Sequence, residues 1–410
     1  MQISGSSRKR FIVPTLLALN FIAFIPFMKA ADTSSFNIVE IERPRIMEQA
    51  AKYLSEEPVT VTASHSDRSA GGLHDFFSEG DYWWPDPKNP DGPYIQHDGL
   101  SNTNNFVAHR HAMIRFADIV GTMTSAYILT GDEKYARHAI KHIKAWFVDP
   151  ETKMNPNLLY GQAIKGRFTG RSTGVIDTIH LVEVARSVML LKNSPSFAPK
   201  DYEAVRAWFR EYLHWLTTHP YGLGERAATN NHGICWSMQA AQFATLVGDE
   251  DVLNWVRNEF KNVYLTRNMA TNGGFTAELH RTKPYGYSLF VIDAMSGIAQ
   301  ILSTPTDNLW TCQTPDGRGM AKALEFIYPY IADKSKWPYR HDVLYWDQWP
   351  VRSPSLLFGG VALNKPEYLA EWKKLKPDYH VDEVKRNVPL RYPLLWVGPM
   401  KPPTAQTVRK

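Results

Sequence analysis

FVAHRHAMIRFADIVGTMTSAYIL, residues 106–129, runs into Thr130-Gly131-Asp132 and then into EKYARHAIKHIKAWF, residues 133–147. Apolar residues recur three and four apart in both arms, as in amphipathic helices, and the three residues between them form a turn with a helix start. The stretch predicts two antiparallel helices in an αα-hairpin. The pattern repeats: residues 174–191 pair with 200–218, 231–246 with 250–263, and 285–302 with 319–331. A first helix is expected over residues 41–54. Strand signals are sparse, and no fixed period marks a solenoid. Hairpins that each bury one face can curl into a closed ring. The expectation is an all-α chain forming one (α/α) barrel, or toroid, of six or seven helical hairpins; a helical solenoid is the alternative. Residues 57–105 break the pattern with Pro, Gly, Asp and Asn. An irregular stretch of that length is usually functional. Its aromatics suggest long loops at one crowded, open end of the ring.

The chain has 410 residues, 44% of them hydrophobic, enough for a sizeable core. Its beginning stands apart. Arg8-Lys9-Arg10 precedes an apolar run over 11–27, interrupted by Pro14, Thr15, Asn20 and Pro26, and Met28-Lys29-Ala30-Ala31 ends in small residues. This reads as a secretory signal peptide over 1–30, too short and broken for a membrane anchor. Residues 31–410 are then a single mature domain, periplasmic or secreted, a monomer with no membrane attachment. No cysteine follows the apolar run to carry a lipid. Arg8, Lys9, Arg10 and Lys29 account for four of the net charges; without them +5 becomes +1. Nucleic-acid binding therefore has no bulk electrostatic support. Cys235 and Cys312 make neither a disulfide framework nor a zinc quartet, and spacing leaves their pairing open.

Two segments carry the chemistry. Asn230-Asn231-His232 opens a predicted helix, with Thr229 or Asn230 as its N-cap. There the backbone N–H groups favour an anion and disfavour an imidazolium. The second segment is Glu278-Leu-His-Arg281-Thr-Lys-Pro-Tyr285-Gly-Tyr287, in which Pro284 is placed to start a helix. Together they offer an amide, an imidazole, a guanidinium and a phenol. This set lacks the carboxylate pair of ordinary glycoside hydrolysis. It suits proton abstraction beside a carboxylate followed by expulsion of a glycosidic oxygen, which needs carboxylate binding, a base and an acid. Arg281 offers a planar fork for a carboxylate, and a tyrosine beside that cation is expected to have a lowered pKa. The bland alternative is a salt bridge from Arg281 to Glu278 beside a core tyrosine.

Other features are weaker. Trp83, Trp84, Trp346 and Trp349 can stack on sugars or anchor loops. Arg110, Arg167, Arg171, Arg340 and Arg352 are candidates for carboxylates on neighbouring sugars. His109 with His111, and His138 with His142, lack the partners of a recognisable metal site. Cys235 lies one turn from His232 but fits a small core residue better than a nucleophile.

The chain resembles the alginate-lyase superfamily of polysaccharide lyases, most closely polysaccharide lyase family 38, over nearly all of its mature length. The resemblance rests on Asp81-Tyr-Trp-Trp-Pro-Asp-Pro87, Asp98-Gly-Leu-Ser-Asn102, Thr130-Gly-Asp-Glu-Lys-Tyr135 and Met154-Asn-Pro-Asn157. It continues through Gly170-Arg-Ser-Thr-Gly174, Asn231-His232, Glu278-Leu-His-Arg281-Thr282 and Tyr287-Ser288. It implies an (α/α) barrel, no metal or other cofactor, and catalysis by Tyr287 and His232, with Asn231 and Arg281 neutralising the substrate carboxylate. Tyr285 competes for the tyrosine role. Trp83, Trp84, Arg110, Arg171, Tyr285 and Arg352 are the expected substrate-binding residues. The expected substrate is an anionic polysaccharide, alginate first. Glucuronan is the alternative by the same mechanism. A uronide hydrolase using Asp177 and Glu278, or a non-catalytic glycan-binding protein, would be a different class.

Overall fold

The computed structural model describes residues 36–398. The predicted signal peptide lies outside the described residues. The chain is mostly helical: α1 spans Ile38–Tyr53, α2 Ala108–Thr130, α3 Glu133–Phe147, α4 Leu181–Leu191, α5 Pro199–Thr218, α6 Pro220–Arg226 and α7 Asn231–Val247. There follow α8 Glu250–Glu259, α9 Thr276–Leu279, α10 Pro284–Leu302, α11 Met320–Ala332, α12 Pro354–Ala362, α13 Pro366–Lys374 and α14 Asp382–Arg386. The turn that opened the sequence reading closes as expected. Gly131 takes φ +71° at the end of α2, and the Asp132 side chain accepts from the Lys134 N–H to start α3.

The inner helices form a series in which α2 packs on α4, α4 on α7, α7 on α10 and α10 on α12. Outer helices cover them: α3 packs on α2, α5 and α8 on α7, α11 on α10 and α12, and α13 on α12. Position explains composition. In α3 the buried residues include Tyr135, Ala136, Ala139, Ile140, Ile143 and Phe147, one stripe of a helix whose other side meets water. In α7 and α10 nearly every residue is buried, because neighbours flank them on both sides. The same burial explains why α2 and α10 are apolar and long enough to cross a membrane: 89% of each stretch is enclosed by the protein.

Among the described residues the consecutive helix pairs are α2 with α3, α4 with α5, α7 with α8, α10 with α11 and α12 with α13. The last, α12 with α13, is missing from the sequence reading because two nine-residue helices, each started by a proline, are too short for a clear period. The ring is completed by α1 and by the segment ending in Pro393–Leu395, which packs on α1, α2 and α4. The helix expected over 174–191 divides into a 3₁₀ segment, Ser172–Thr178, and α4. Small strands run in the loops before α2 and before α4. Phe77–Glu79 (β1) pairs in parallel with Tyr160–Ala163 (β4), and Trp83–Trp84 (β2) pairs antiparallel with Ile95–Gln96 (β3). These belong to the long loops, and they hold residues 77–96 across one end of the ring.

Candidate active site

An open cleft of about 740 Å³, counting the solvent at its mouth, lies at that end. Asn231, His232, Arg281 and Tyr287 all line it, together with Trp83, Arg171 and Asp177. Three elements bring the first four together. Asn231 and His232 form the first turn of α7, whose cap is Asn230, its side chain accepting from the His232 N–H. Arg281 sits on the short connection between α9 and α10, and Tyr287 one turn into α10.

Tyr287 is the centre of a dense polar network. Its phenol oxygen accepts from Arg281 Nη2 at 3.0 Å and lies 2.9 Å from the Tyr82 hydroxyl. The Arg281 guanidinium also stacks 4.2 Å from the Tyr287 ring centroid. Tyr82 in turn accepts from Lys283 Nζ at 2.9 Å and from Arg386 Nη2 at 3.2 Å. Lys283 pairs with Glu383, and Arg386 with both Asp81 and Glu383. Burial pushes the Tyr287 phenol well above the ordinary tyrosine range, against the pull of Lys283 and Arg281. This reverses the expectation from sequence, because desolvation outweighs the neighbouring cations. The resting phenol keeps its proton and is placed to donate it. Burial opposes ionisation of Glu383 too, yet Arg386 and Lys283 hold its carboxyl below the usual range.

Arg281 is not paired with Glu278. Its Nε and Nη2 donate to Asp98, at 3.3 and 2.7 Å, and Thr282 Oγ1 donates to the same carboxylate. Asp98 therefore fixes the plane of the guanidinium. His232 has a carboxylate partner as well: Nδ1 lies 2.6 Å from Glu225 Oε1, and Glu225 is buried. With the Nδ1 proton directed at Glu225, the Nε2 lone pair is available as a base. Glu278, also buried, accepts from the Asn231 backbone N–H at 2.6 Å and from its side-chain Nδ2 at 2.9 Å.

Alginate lyase is the family whose model matches residues 60–337. The chain belongs to the alginate lyase family. It is similar to a crystal structure of an alginate lyase from Bacteroides ovatus, with 31% identity over 87% of this chain and 93% of that one, at a TM-score of 0.75. It is also similar to alginate lyase A1-III complexed with a tetrasaccharide, at 12% identity over 88% and 94% of the two chains and a TM-score of 0.54. The A1-III enzyme from Sphingomonas species A1 matches at 13% identity over 86% and 94%, with a TM-score of 0.53. At such identities the A1-III likeness speaks to the fold alone. No curated protein matches the chain. The lyase is thus a polysaccharide-cleaving enzyme on an (α/α) toroid.

Several residues expected to bind substrate lie elsewhere in the lyase. Arg352 pairs with Glu42 and stacks on Trp372, in a separate cleft lined by Arg45 and Tyr392, where it ties α1 to the start of α12. Arg110 is buried beneath the cleft between Asp81, at 2.7 Å, and Asp177, at 3.2 Å, and its charge supports the floor. Tyr285 is fully buried and donates its hydroxyl to the Tyr330 carbonyl at 3.0 Å, which makes it a core residue. Trp84 donates its indole N–H to Leu100 O at 2.9 Å and anchors a loop. Trp83 does face the cleft, with the Arg167 and Arg171 guanidiniums at 5.4 and 5.9 Å from its ring centre. Arg171 donates to the backbone and side-chain oxygens of Gln162 rather than to a carboxylate.

The remaining candidates resolve physically. His109 accepts from the Phe77 N–H and contacts Ser64 O, a role in loop anchoring. His138 and His142 contact each other at 3.2 Å, and among the described residues no three His, Cys, Asp or Glu side chains converge to hold a metal ion. Cys235 and Cys312 are both free, and burial pushes the Cys235 thiol well up. Asp177 and Glu278, the candidate hydrolytic pair, are each engaged by protein donors. Asp177 accepts from Ser78, Arg110 and Gln162, and Glu278 from Asn231.

Sequence reasoning missed Tyr82, Lys283, Glu383, Arg386, Asp98 and Glu225 as site residues. Tyr82 and Asp98 sit inside motifs quoted for the resemblance, and Lys283 lies between Arg281 and Tyr287. Glu383 and Arg386 carry no signal, because α14 reaches the cleft from about a hundred residues further along the chain.

Proposed function

We propose that this lyase cleaves 4-O-linked polyuronates, alginate first, by metal-independent β-elimination that leaves a 4,5-unsaturated uronate at the new non-reducing end. The finer likeness to polysaccharide lyase family 38, with glucuronan as the second substrate, belongs to the same proposal. So do removal of residues 1–30, a periplasmic or secreted location and a monomeric state. The observation that carries the reading is the placement of Tyr287, Arg281, Asn231 and His232 around one cleft, with the phenol held at 3.0 Å by the guanidinium.

In this mechanism the uronate carboxylate of the sugar after the scissile bond docks near Arg281 and Asn231. Removal of H5 shifts charge onto that carboxylate, where the cation and amide stabilise it as it develops. Tyr287 then passes its proton to O4 as the C4–O4 bond breaks. Its hydrogen bond to Tyr82 keeps the hydroxyl oriented until substrate arrives. Where H5 lies on the His232 face, as in guluronate, the imidazole whose other nitrogen meets Glu225 takes the proton. Where H5 and O4 share a face, as in mannuronate or glucuronate, Tyr287 must first release its proton to solvent, after which the phenolate takes H5 and returns that proton to O4. Burial opposes that release, and Arg281 with Lys283 favours it. Trp83 and Arg171 extend the cleft for a neighbouring sugar ring and its carboxylate.

The test is an ultraviolet assay of the mature chain on alginate, block-pure uronans and glucuronan, with and without chelator. Absorbance from the unsaturated product should rise equally in both conditions. Activity that chelator abolishes and added metal restores would overturn the metal-free mechanism, and binding with no new chromophore would point to a glycan-binding protein.

A further inference from the structure

One backbone stretch, residues 280–287, delivers both Arg281 and Tyr287 to the cleft, and its own side chains do not cap the helix it starts. Pro284 opens α10 and Lys283 stands at the N-cap, with no side-chain capping bond. A cap side chain ordinarily accepts from the N–H groups two or three residues on. Lysine has no acceptor, and Lys283 sends its ammonium to Tyr82 and Glu383 instead. The N–H groups of Tyr285 and Gly286 are reached by no carbonyl of their own helix, so they need an acceptor from elsewhere. Asp342 supplies it. The carboxylate is buried and accepts from Tyr285 N–H at 2.8 Å on one oxygen and from Gly286 N–H at 2.9 Å on the other. Its neighbours hold the other half of the stretch. Val343 N–H donates to Thr282 O at 3.1 Å. Arg340 Nη2 donates to His280 O at 2.9 Å and to Arg281 O. The segment that does this is itself anchored: the Trp337 indole N–H donates to Arg340 O at 3.1 Å, and His341 stacks on Trp346 with ring centres 4.0 Å apart.

We propose that Arg340 and Asp342 are positioning residues of the elimination: together they clamp the main chain on either side of Lys283, so that the Arg281 guanidinium and the Tyr287 phenol stay in register. The inference rests on the polyuronate-lyase reading and adds to it two residues that are not among those lining the cleft. The division of labour is physical. Asp98 holds the far end of the Arg281 side chain, at the guanidinium. Arg340 holds the near end, at the Arg281 carbonyl. Asp342 fixes where α10 begins, and so where Tyr287 stands one turn later. The 3.0 Å contact between guanidinium and phenol joins the two halves, and a shift of either half opens it. Displacements of about 1 Å from changes remote from the reacting atoms cost about 10²-fold in rate. Lys283 is then free to serve Tyr82, because the cap it would have given is supplied from residue 342.

The Arg340 side chain is exposed, so its variants should fold, and they separate positioning from a merely structural role. Arg340→Met keeps the stem and removes the donor. On a polyuronate that the unaltered enzyme cleaves it should lower kcat/KM about 10- to 10²-fold. A single nitrogen of Arg340 makes both bonds, so Arg340→Lys should restore activity to within about threefold of the unaltered enzyme, unlike Arg281→Lys, which loses a fork. In an Arg281→Lys background, Arg340→Met should cost less than about threefold, because the group it positions is already gone. Arg340→Met at full activity, or a loss of the same size in both backgrounds, would overturn the proposal. Asp342→Asn offers one acceptor oxygen where two are used. It should lower kcat/KM about tenfold or more and speed hydrogen exchange at the Tyr285 or Gly286 amide about tenfold. Unchanged exchange at both amides would overturn the part given to Asp342, and should that variant not fold, the Arg340 series decides. An enzyme with no eliminating activity on any polyuronate would defeat the functional reading, while amide exchange would still report whether Asp342 holds the start of α10.

Discussion

Tyr287→Phe should abolish turnover on every polyuronate the enzyme cleaves, while Tyr285→Phe leaves most of it. The two tyrosines are two residues apart on one helix, and their surroundings are opposite. Tyr287 lines the cleft and meets Arg281 and Tyr82 through its hydroxyl. Tyr285 is enclosed by Trp337 and Trp346 and spends its hydroxyl on Tyr330 O. Removing the Tyr287 hydroxyl removes the acid for O4 and should cost about 10²–10⁴-fold in kcat with little change in binding. Removing the Tyr285 hydroxyl breaks one buried hydrogen bond, costing about 1–3 kcal/mol of stability and little catalysis. Kinetics on block-pure substrates with thermal melts check both. An active Tyr287→Phe beside a dead but folded Tyr285→Phe would mean that the acid lies elsewhere on α10.

Arg281→Lys should be nearly as damaging, although it keeps the charge. The guanidinium uses its shape three ways: two nitrogens on Asp98, one of them also on Tyr287, and its face on the phenol ring. An ammonium cannot reproduce that fork. The loss should be about 2–4 kcal/mol of transition-state stabilisation, about 30- to 10³-fold in kcat/KM. It should appear in kcat as well as KM, because Arg281 also positions the acid. Near-normal kcat/KM in a folded Arg281→Lys would make the arginine a peripheral residue held by Asp98.

The helical hairpins were legible because their period is local. The turn at Gly131, the capped start at Asn230 and the proline start at Pro284 need only neighbouring residues, and each holds in the structure. Asn231, His232, Arg281 and Tyr287 share one cleft for the same reason: they stand at helix starts that face the same end of the ring. What failed was what depends on distant partners. Arg110 and Arg352 look like free cations in sequence, but Asp81, Asp177 and Glu42 neutralise them from far along the chain. The sign of the Tyr287 pKa shift also needed the fold, because its cations are near in sequence while its burial is not. Glu225 precedes His232 by seven residues across the α6–α7 turn, a spacing with no characteristic pattern.

Whether the bond breaks by elimination or by hydrolysis is decided by the origin of the product oxygen. The mature chain is incubated with its polyuronate in water enriched in heavy oxygen, and the fragments are weighed by mass spectrometry. Elimination takes no oxygen from water, so each new non-reducing end should be lighter than a hydrolytic one by the mass of one water, and label should enter only at the slow rate at which reducing ends exchange oxygen with the solvent. Fragments that gain one heavy oxygen with each cleavage, ahead of that exchange, and show no unsaturated end would establish hydrolysis instead.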